Sequence, residues 1–174
     1  MAGIVGVGCF VLAVLLVVSR GLPTLDNDQG DGGVPIAAIK GAFAPPLRLK
    51  ALTGGIVQLS DYQGQRVLIN FWATWCAPCV AEMPMLQAFA EKHKGEVQVL
   101  AINLGEDEAT VRKWLEAQEI VLMILMDPSR SSEQAYRLRG QPTSFFLSSE
   151  GMIEAVFHGP VSESALEAVL AESY

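Results

Sequence analysis

Two cysteines separated by two residues are the side chains of this sequence best suited to chemistry. They are Cys76 and Cys79, in the run Trp75-Cys76-Ala77-Pro78-Cys79 directly behind the apolar stretch Val67 to Ala73. Where a buried strand turns into a helix, such a pair has one thiol at the helix N-terminus and the other one turn inside. Unpaired N–H groups and the helix dipole there favour a thiolate, so the first cysteine becomes nucleophilic near neutral pH. The second lies within reach to close a disulfide. This pattern points to thiol–disulfide exchange, which runs through a mixed disulfide and needs two thiols of unequal exposure. The bland alternative is an inert disulfide locking the helix start, yet so short a loop constrains the unfolded chain little.

Glu82 follows Cys79 by three residues, so both share one helix face. A carboxyl on a partly buried face can accept the proton of Cys79, with its pKa raised by desolvation. Its alternative is a solvated glutamate favouring the helix dipole. Pro78 falls in the first turn, where a missing N–H costs nothing and φ already suits a helix. Trp72 and Trp75 precede the pair and read as shields of the disulfide and shapers of a docking surface, or as plain core packing.

A metal centre is poorly supported. Structural zinc commonly takes four ligands, and the chain's two histidines, His93 and His158, are distant from each other in sequence. Met83, Met85, Met123 and Met126 read as packing. Copper(I) favours paired thiolates, which leaves a copper-binding assembly factor as the reading from another class. It lacks a third ligand at suitable spacing. No metal and no bound cofactor are therefore expected.

The elements that must position these residues follow from periodicity. Leu47–Leu52 and Ile56–Leu59 flank Thr53-Gly54-Gly55, a hairpin signal. Ser60 is expected to cap a short turn ended by Gly64. Val67–Ala73 is almost continuously apolar, as for a central strand covered on both faces. A helix from about Cys76 to Lys94 comes next, then a strand over Val97–Asn103 and an amphipathic helix over Asp107–Gln118. Val121–Met126 predicts a strand, Ser129–Leu138 a helix closed by Gly140, and Thr143–Leu147 with Met152–Phe157 a second hairpin. Ser162 caps a last helix packing through Leu166, Val169 and Leu170. This order predicts an α/β fold with a mixed central sheet flanked by helices.

The chain has 174 residues, 51% of them hydrophobic, enough for one domain with a core and a short extra segment. A net charge of −7 argues against nucleic-acid binding. Ala2 to Val18 carries no charge, and that length of helix spans about 25 Å, at the short end of what crosses a bilayer. Residues 1–20 read as a transmembrane anchor or uncleaved signal, against the alternative of a cleaved signal peptide. Its orientation stays open by charge, since Arg20 follows the run and no basic residue precedes it. Cys9 sits near the start of that run, as an ordinary small apolar residue rather than a lipidation site. Residues 21–41 are polar and glycine-rich and read as a flexible linker holding the domain about 25 Å away. The folded domain is expected over 42–174.

The stretch from Val67 to Cys79, followed by Glu82-Met83-Pro84, resembles the TlpA/ResA branch of membrane-anchored thioredoxin-like proteins, within the AhpC/TSA–redoxin-like group. Gly140-Gln141-Pro142-Thr143-Ser144-Phe145-Phe146 is similar to that branch's second active-site loop, and Leu59–Gly64 matches its opening. The resemblance covers about residues 42 to 172. It implies a thioredoxin-like fold with an added N-terminal β-hairpin, and a thiol–disulfide oxidoreductase placed outside the cytoplasm on a single-pass anchor. It further implies Cys76 as attacking thiolate, Cys79 as resolving thiol, Glu82 as proton acceptor, and a cis peptide before Pro142. Trp75, Pro78, Gln141, Pro142 and Thr143 are the expected substrate-contacting residues. The implied substrate is a disulfide-containing protein, with apocytochrome c favoured and a membrane electron donor restoring the dithiol. The same-class alternative is a general disulfide oxidant. Asn70 departs from thioredoxin itself, which carries a buried acid at the matching position, so any need for a proton acceptor falls to Glu82.

Overall fold

The computed structural model describes residues 34–172. The expected anchor over 1–20 lies outside the described residues, as does the expected linker up to residue 33. Among the described residues, no helix is long and apolar enough to cross a membrane. The chain is tied down earlier than Ala42: Ala37 N–H donates to the Phe43 carbonyl at 3.0 Å, and Gly41 N–H to that of Ile153 at 2.9 Å. Residues 34–41 therefore belong to the compact unit and not to the linker.

Seven strands form one sheet in the order β2-β1-β5-β4-β3-β6-β7. The strands are β1 (Arg48–Ala51), β2 (Ile56–Gln58), β3 (Arg66–Trp72), β4 (Val97–Leu104), β5 (Met123–Asp127), β6 (Thr143–Leu147) and β7 (Ile153–His158). The helices are α1 (Ala77–Lys92), α2 (Glu108–Gln118), α3 (Ser131–Ala135) and α4 (Glu163–Glu172). β3, β4 and β5 are parallel, while β1, β6 and β7 join antiparallel, so the sheet is mixed as expected. The β1–β2 hairpin closes through Gly54 and Gly55, at φ of +104° and +80°, values that glycine adopts without a steric penalty.

The strand alternation sorts side chains into two cores. Leu68 and Trp72 of β3 face the cluster that includes Cys79, Met83, Leu86 and Phe89 of α1, Val111 and Leu115 of α2, and Leu166 and Leu170 of α4. Val67, Ile69 and Phe71 face the other, where Tyr136 packs at 5.0 Å ring separation from both Phe71 and Phe145. Burial of its phenol pushes the Tyr136 pKa up, and the hydroxyl stays satisfied by donating to the Pro45 carbonyl at 2.7 Å.

Most element ends fall within a residue of expectation, and three departures have identifiable causes. β5 begins two residues late because Val121 N–H donates to the Gln87 side chain at 2.6 Å rather than to the ladder. α3 is shorter than the Ser129–Leu138 run, since Arg137 takes a left-handed φ of +50° and breaks the helical path. The turn after β2 is a 3-10 helix over Leu59–Tyr62, capped by Asp61 accepting the Gln58 N–H at 2.8 Å and not by Ser60.

Candidate active site

Cys76 is the N-cap of α1 and Pro78 lies in its first turn. The Cys76 carbonyl accepts from Val80 N–H at 3.0 Å, which seats the residue on the helix start. Cys76 and Cys79 are disulfide-bonded, with Cα atoms 5.3 Å apart. Cys76 retains 6% exposure and Cys79 none, so a partner can reach only the first sulfur. Around them Ala77 and Pro78 are exposed and Trp75 is 65% exposed. Trp72, by contrast, is fully buried and packs on Trp114 at 5.1 Å. The two tryptophans that flank the strand–helix turn thus part company: one is core, the other surface.

Glu82 lies on the buried face of α1 with Cys79. One carboxylate oxygen accepts from Asn70 Nδ2 at 2.7 Å and the other from Val161 N–H at 2.9 Å. Burial raises its pKa above the usual carboxylate range, against the opposing pull of those two donors. A buried carboxyl with donors on both oxygens is fixed in orientation yet remains able to take a proton. The Asn70 amide also donates to Ser144 Oγ at 2.9 Å, so β3, β6 and α1 share one polar cluster under the dithiol helix. Asn70 reaches it because it falls in the same alternating series as Leu68 and Trp72, the face turned to α1.

The peptide between Gln141 and Pro142 is cis, as the resemblance implied. Pro142 and Thr143 are buried; the Pro142 carbonyl accepts from Gly159 N–H at 2.9 Å, and the Thr143 hydroxyl donates to the Gly140 carbonyl at 2.8 Å. Gln141 Oε1 is buried without a partner among the described residues. β6 pairs with β3 through Phe71↔Thr143, which brings the loop before Thr143 to the end of β3 where the cysteine turn begins.

One carboxylate at this end of the sheet escaped the sequence reading. Glu106, just beyond β4, accepts from Thr74 N–H at 2.7 Å, from the Thr74 hydroxyl at 2.5 Å and from Asn103 Nδ2 at 2.7 Å. The two residues are separated by 32 positions, and no local pattern signals the contact. Ser144 and the Val161 N–H were missed for the same reason. Among the described residues, no group of three or more His, Cys, Asp or Glu side chains is placed to hold a metal ion.

Comparison with known proteins agrees with this arrangement. The AhpC/TSA family model matches residues 41–156. A thiol-disulfide oxidoreductase ResA from Oceanobacillus iheyensis is 33% identical over 135 residues, covering 75% of this chain and 70% of that one. The thioredoxin-like protein YneN of Bacillus subtilis is 31% identical, covering 91% of this chain and 94% of its own. Among solved structures, a thiol:disulfide interchange protein DsbE from Chlorobium tepidum superposes with a TM-score of 0.72 at 31% identity, covering 78% of this chain and 97% of that one. The chain belongs to the AhpC/TSA family and has a thioredoxin-like fold; it is a thiol–disulfide oxidoreductase of the ResA/DsbE type.

Proposed function

We propose that this oxidoreductase is a membrane-anchored reductant working outside the cytoplasm on disulfides of other proteins, apocytochrome c being the favoured substrate. The Cys76 thiolate attacks one sulfur of the substrate disulfide, forming a mixed disulfide and releasing the other substrate sulfur as a thiolate. Glu82 takes the proton of Cys79. The Cys79 thiolate then attacks Cys76 sulfur, closing the Cys76–Cys79 disulfide and releasing the second substrate thiolate. Each released thiolate gains a proton, so the substrate leaves as a dithiol. A membrane electron donor returns two electrons and two protons to the pair. Trp75, Pro78 and Gln141 form the surface against which an extended substrate segment docks, with the buried Pro142 and Thr143 shaping the loop beneath it.

The observation that carries this reading is the Glu82 carboxyl, buried one turn beyond a fully buried Cys79 with its pKa raised by burial. Such a group holds a proton more tightly than a surface glutamate, which suits it to accept one in the resolving step. The test is the redox state of the Cys76–Cys79 pair in living cells, trapped by acid and thiol alkylation. A mainly reduced pair is expected. A mainly oxidised pair would overturn the reductant role in favour of a disulfide oxidant.

A further inference from the structure

Four residues, Ala73 to Cys76, connect β3 to α1, and they carry both the outer sulfur and the exposed Trp75. Inside this turn Cys76 N–H donates to the Ala73 carbonyl at 3.2 Å. From outside, one carboxylate takes both hydrogen-bond donors of Thr74: Glu106 Oε2 accepts the backbone N–H at 2.7 Å and Oε1 the hydroxyl at 2.5 Å. A two-point contact of this kind fixes rotation as well as position.

Glu106 is itself braced. Asn103 Nδ2 donates to its Oε2 at 2.7 Å, and Gly105 N–H donates to the Asp127 carbonyl at 3.0 Å. Gly105 stands at φ +77°, with the Arg130 side chain packed where a Cβ would sit. Asn103 is the register partner of Trp72 in the parallel β3–β4 ladder. The Thr74–Glu106 contact thus extends that pairing two residues past the last strand residue of each.

We infer that Glu106 is a positioning residue for the dithiol: through Thr74 it holds Cys76 over the helix N-terminus and sets the stance of Trp75. Trp75 has little packing of its own, so its direction comes from the backbone that Thr74 anchors. The inference rests on Cys76 being the attacking thiol, and does not depend on which protein supplies the disulfide.

Two effects of removing Glu106 have opposite signs, and this makes the idea testable. Loss of its negative charge alone favours the Cys76 thiolate. Loss of its hold on Thr74 loosens the thiolate's seat on the helix N-terminus and disfavours it. Glutamine separates them: its carbonyl can accept from Thr74 N–H while its amide donates to the Thr74 hydroxyl oxygen.

The experiment measures iodoacetamide alkylation of Cys76 against pH in the full chain carrying Cys79→Ser, followed on the Cys76 peptide by mass spectrometry. Glu106→Ala is expected to slow alkylation at neutral pH about tenfold, within the range that small misplacements produce, and to move the profile to higher pH. Glu106→Gln is expected to restore it. An unchanged profile in Glu106→Ala overturns the inference, as does a faster reaction in both variants, which marks a charge effect. Should Glu106→Ala not fold, Thr74→Val takes its place, with the same slowing expected and an unchanged profile overturning. An unreactive Cys76 in the parent Cys79→Ser protein would overturn the reading of Cys76 as nucleophile; a reactive Cys76 indifferent to Glu106 overturns this inference alone.

Discussion

At the scale of single residues, the weight falls on Glu82 and the groups that hold it. Its raised pKa means that the carboxyl is protonated, and useless as a base, over a wider acidic range than a surface glutamate. The rate at which Cys79 resolves a mixed disulfide should therefore rise with pH through an inflection above the ordinary carboxylate range. Glu82→Gln should remove that inflection and slow resolution about 10²-fold, the low end of what a positioned base contributes. Single-turnover release of a dye-labelled peptide from its mixed disulfide with Cys76 would show it, and an unaltered profile would take the glutamate out of the mechanism. Asn70→Ala removes one of the two donors that favour the carboxylate, so the inflection should move to higher pH. The residue pattern made part of this cluster legible. The cysteines, Glu82 and Pro142 announce themselves by spacing or by resemblance. Asn70 stands out as the polar residue in an apolar strand. Ser144 and the Val161 N–H could not be read, because a 2.9 Å contact across 74 or 79 positions leaves no trace in local order.

Elements carry the next level of argument, above all the loops that follow β4 and β5. Gly105→Ala would force a left-handed φ on a residue with a Cβ and push it to 3.2 Å from the Arg130 chain. A cost of about 1–2 kcal/mol is expected, read as a lower urea midpoint with unchanged slope. Asp127, 1% exposed at the end of β5, organises the start of α3. Burial works to raise its pKa, but donors from Ser132, Ser129 and Ser131 outweigh it and the net shift is downward. A lowered folded pKa gives stability that is present above the unfolded value and lost as pH falls through the folded one. The relevant window lies below about pH 4. Asp127→Asn should cost about 1–3 kcal/mol at neutral pH, as buried donors lose a charged acceptor, and should unfold less steeply with acid in that window. Equal acid sensitivity in the two proteins would contradict this role. The buried strands and amphipathic helices were visible in sequence because their periods dominate their composition. Element ends were less so: Val121 has the composition of a strand residue, yet its N–H is diverted to Gln87.

For the molecule as a whole, the dithiol couples chemistry to folding. The bridge joins residues three apart, and chain entropy alone assigns so small a loop about 2 kcal/mol. A thiolate favoured at the start of α1 stabilises the reduced protein and narrows that gap. Urea unfolding with and without reductant should therefore differ by less than about 2 kcal/mol; a much larger loss on reduction would mark the bridge as structural. The sheet's two margins have a separate consequence. A client caught in a mixed disulfide is itself incompletely folded and offers extended backbone to any unpaired strand. On one side the margin is β2, only three residues long. On the other, the first part of β7 is already occupied by residues 41–44, with hydrogen bonds of 2.9–3.0 Å to Gly151 and Ile153. Among the described residues, no strand pairs with the outer edge of the remainder of β7, which ends at His158 beside Thr143. A client segment that added to this stretch as an extra strand would lie at the end of the sheet that carries the dithiol.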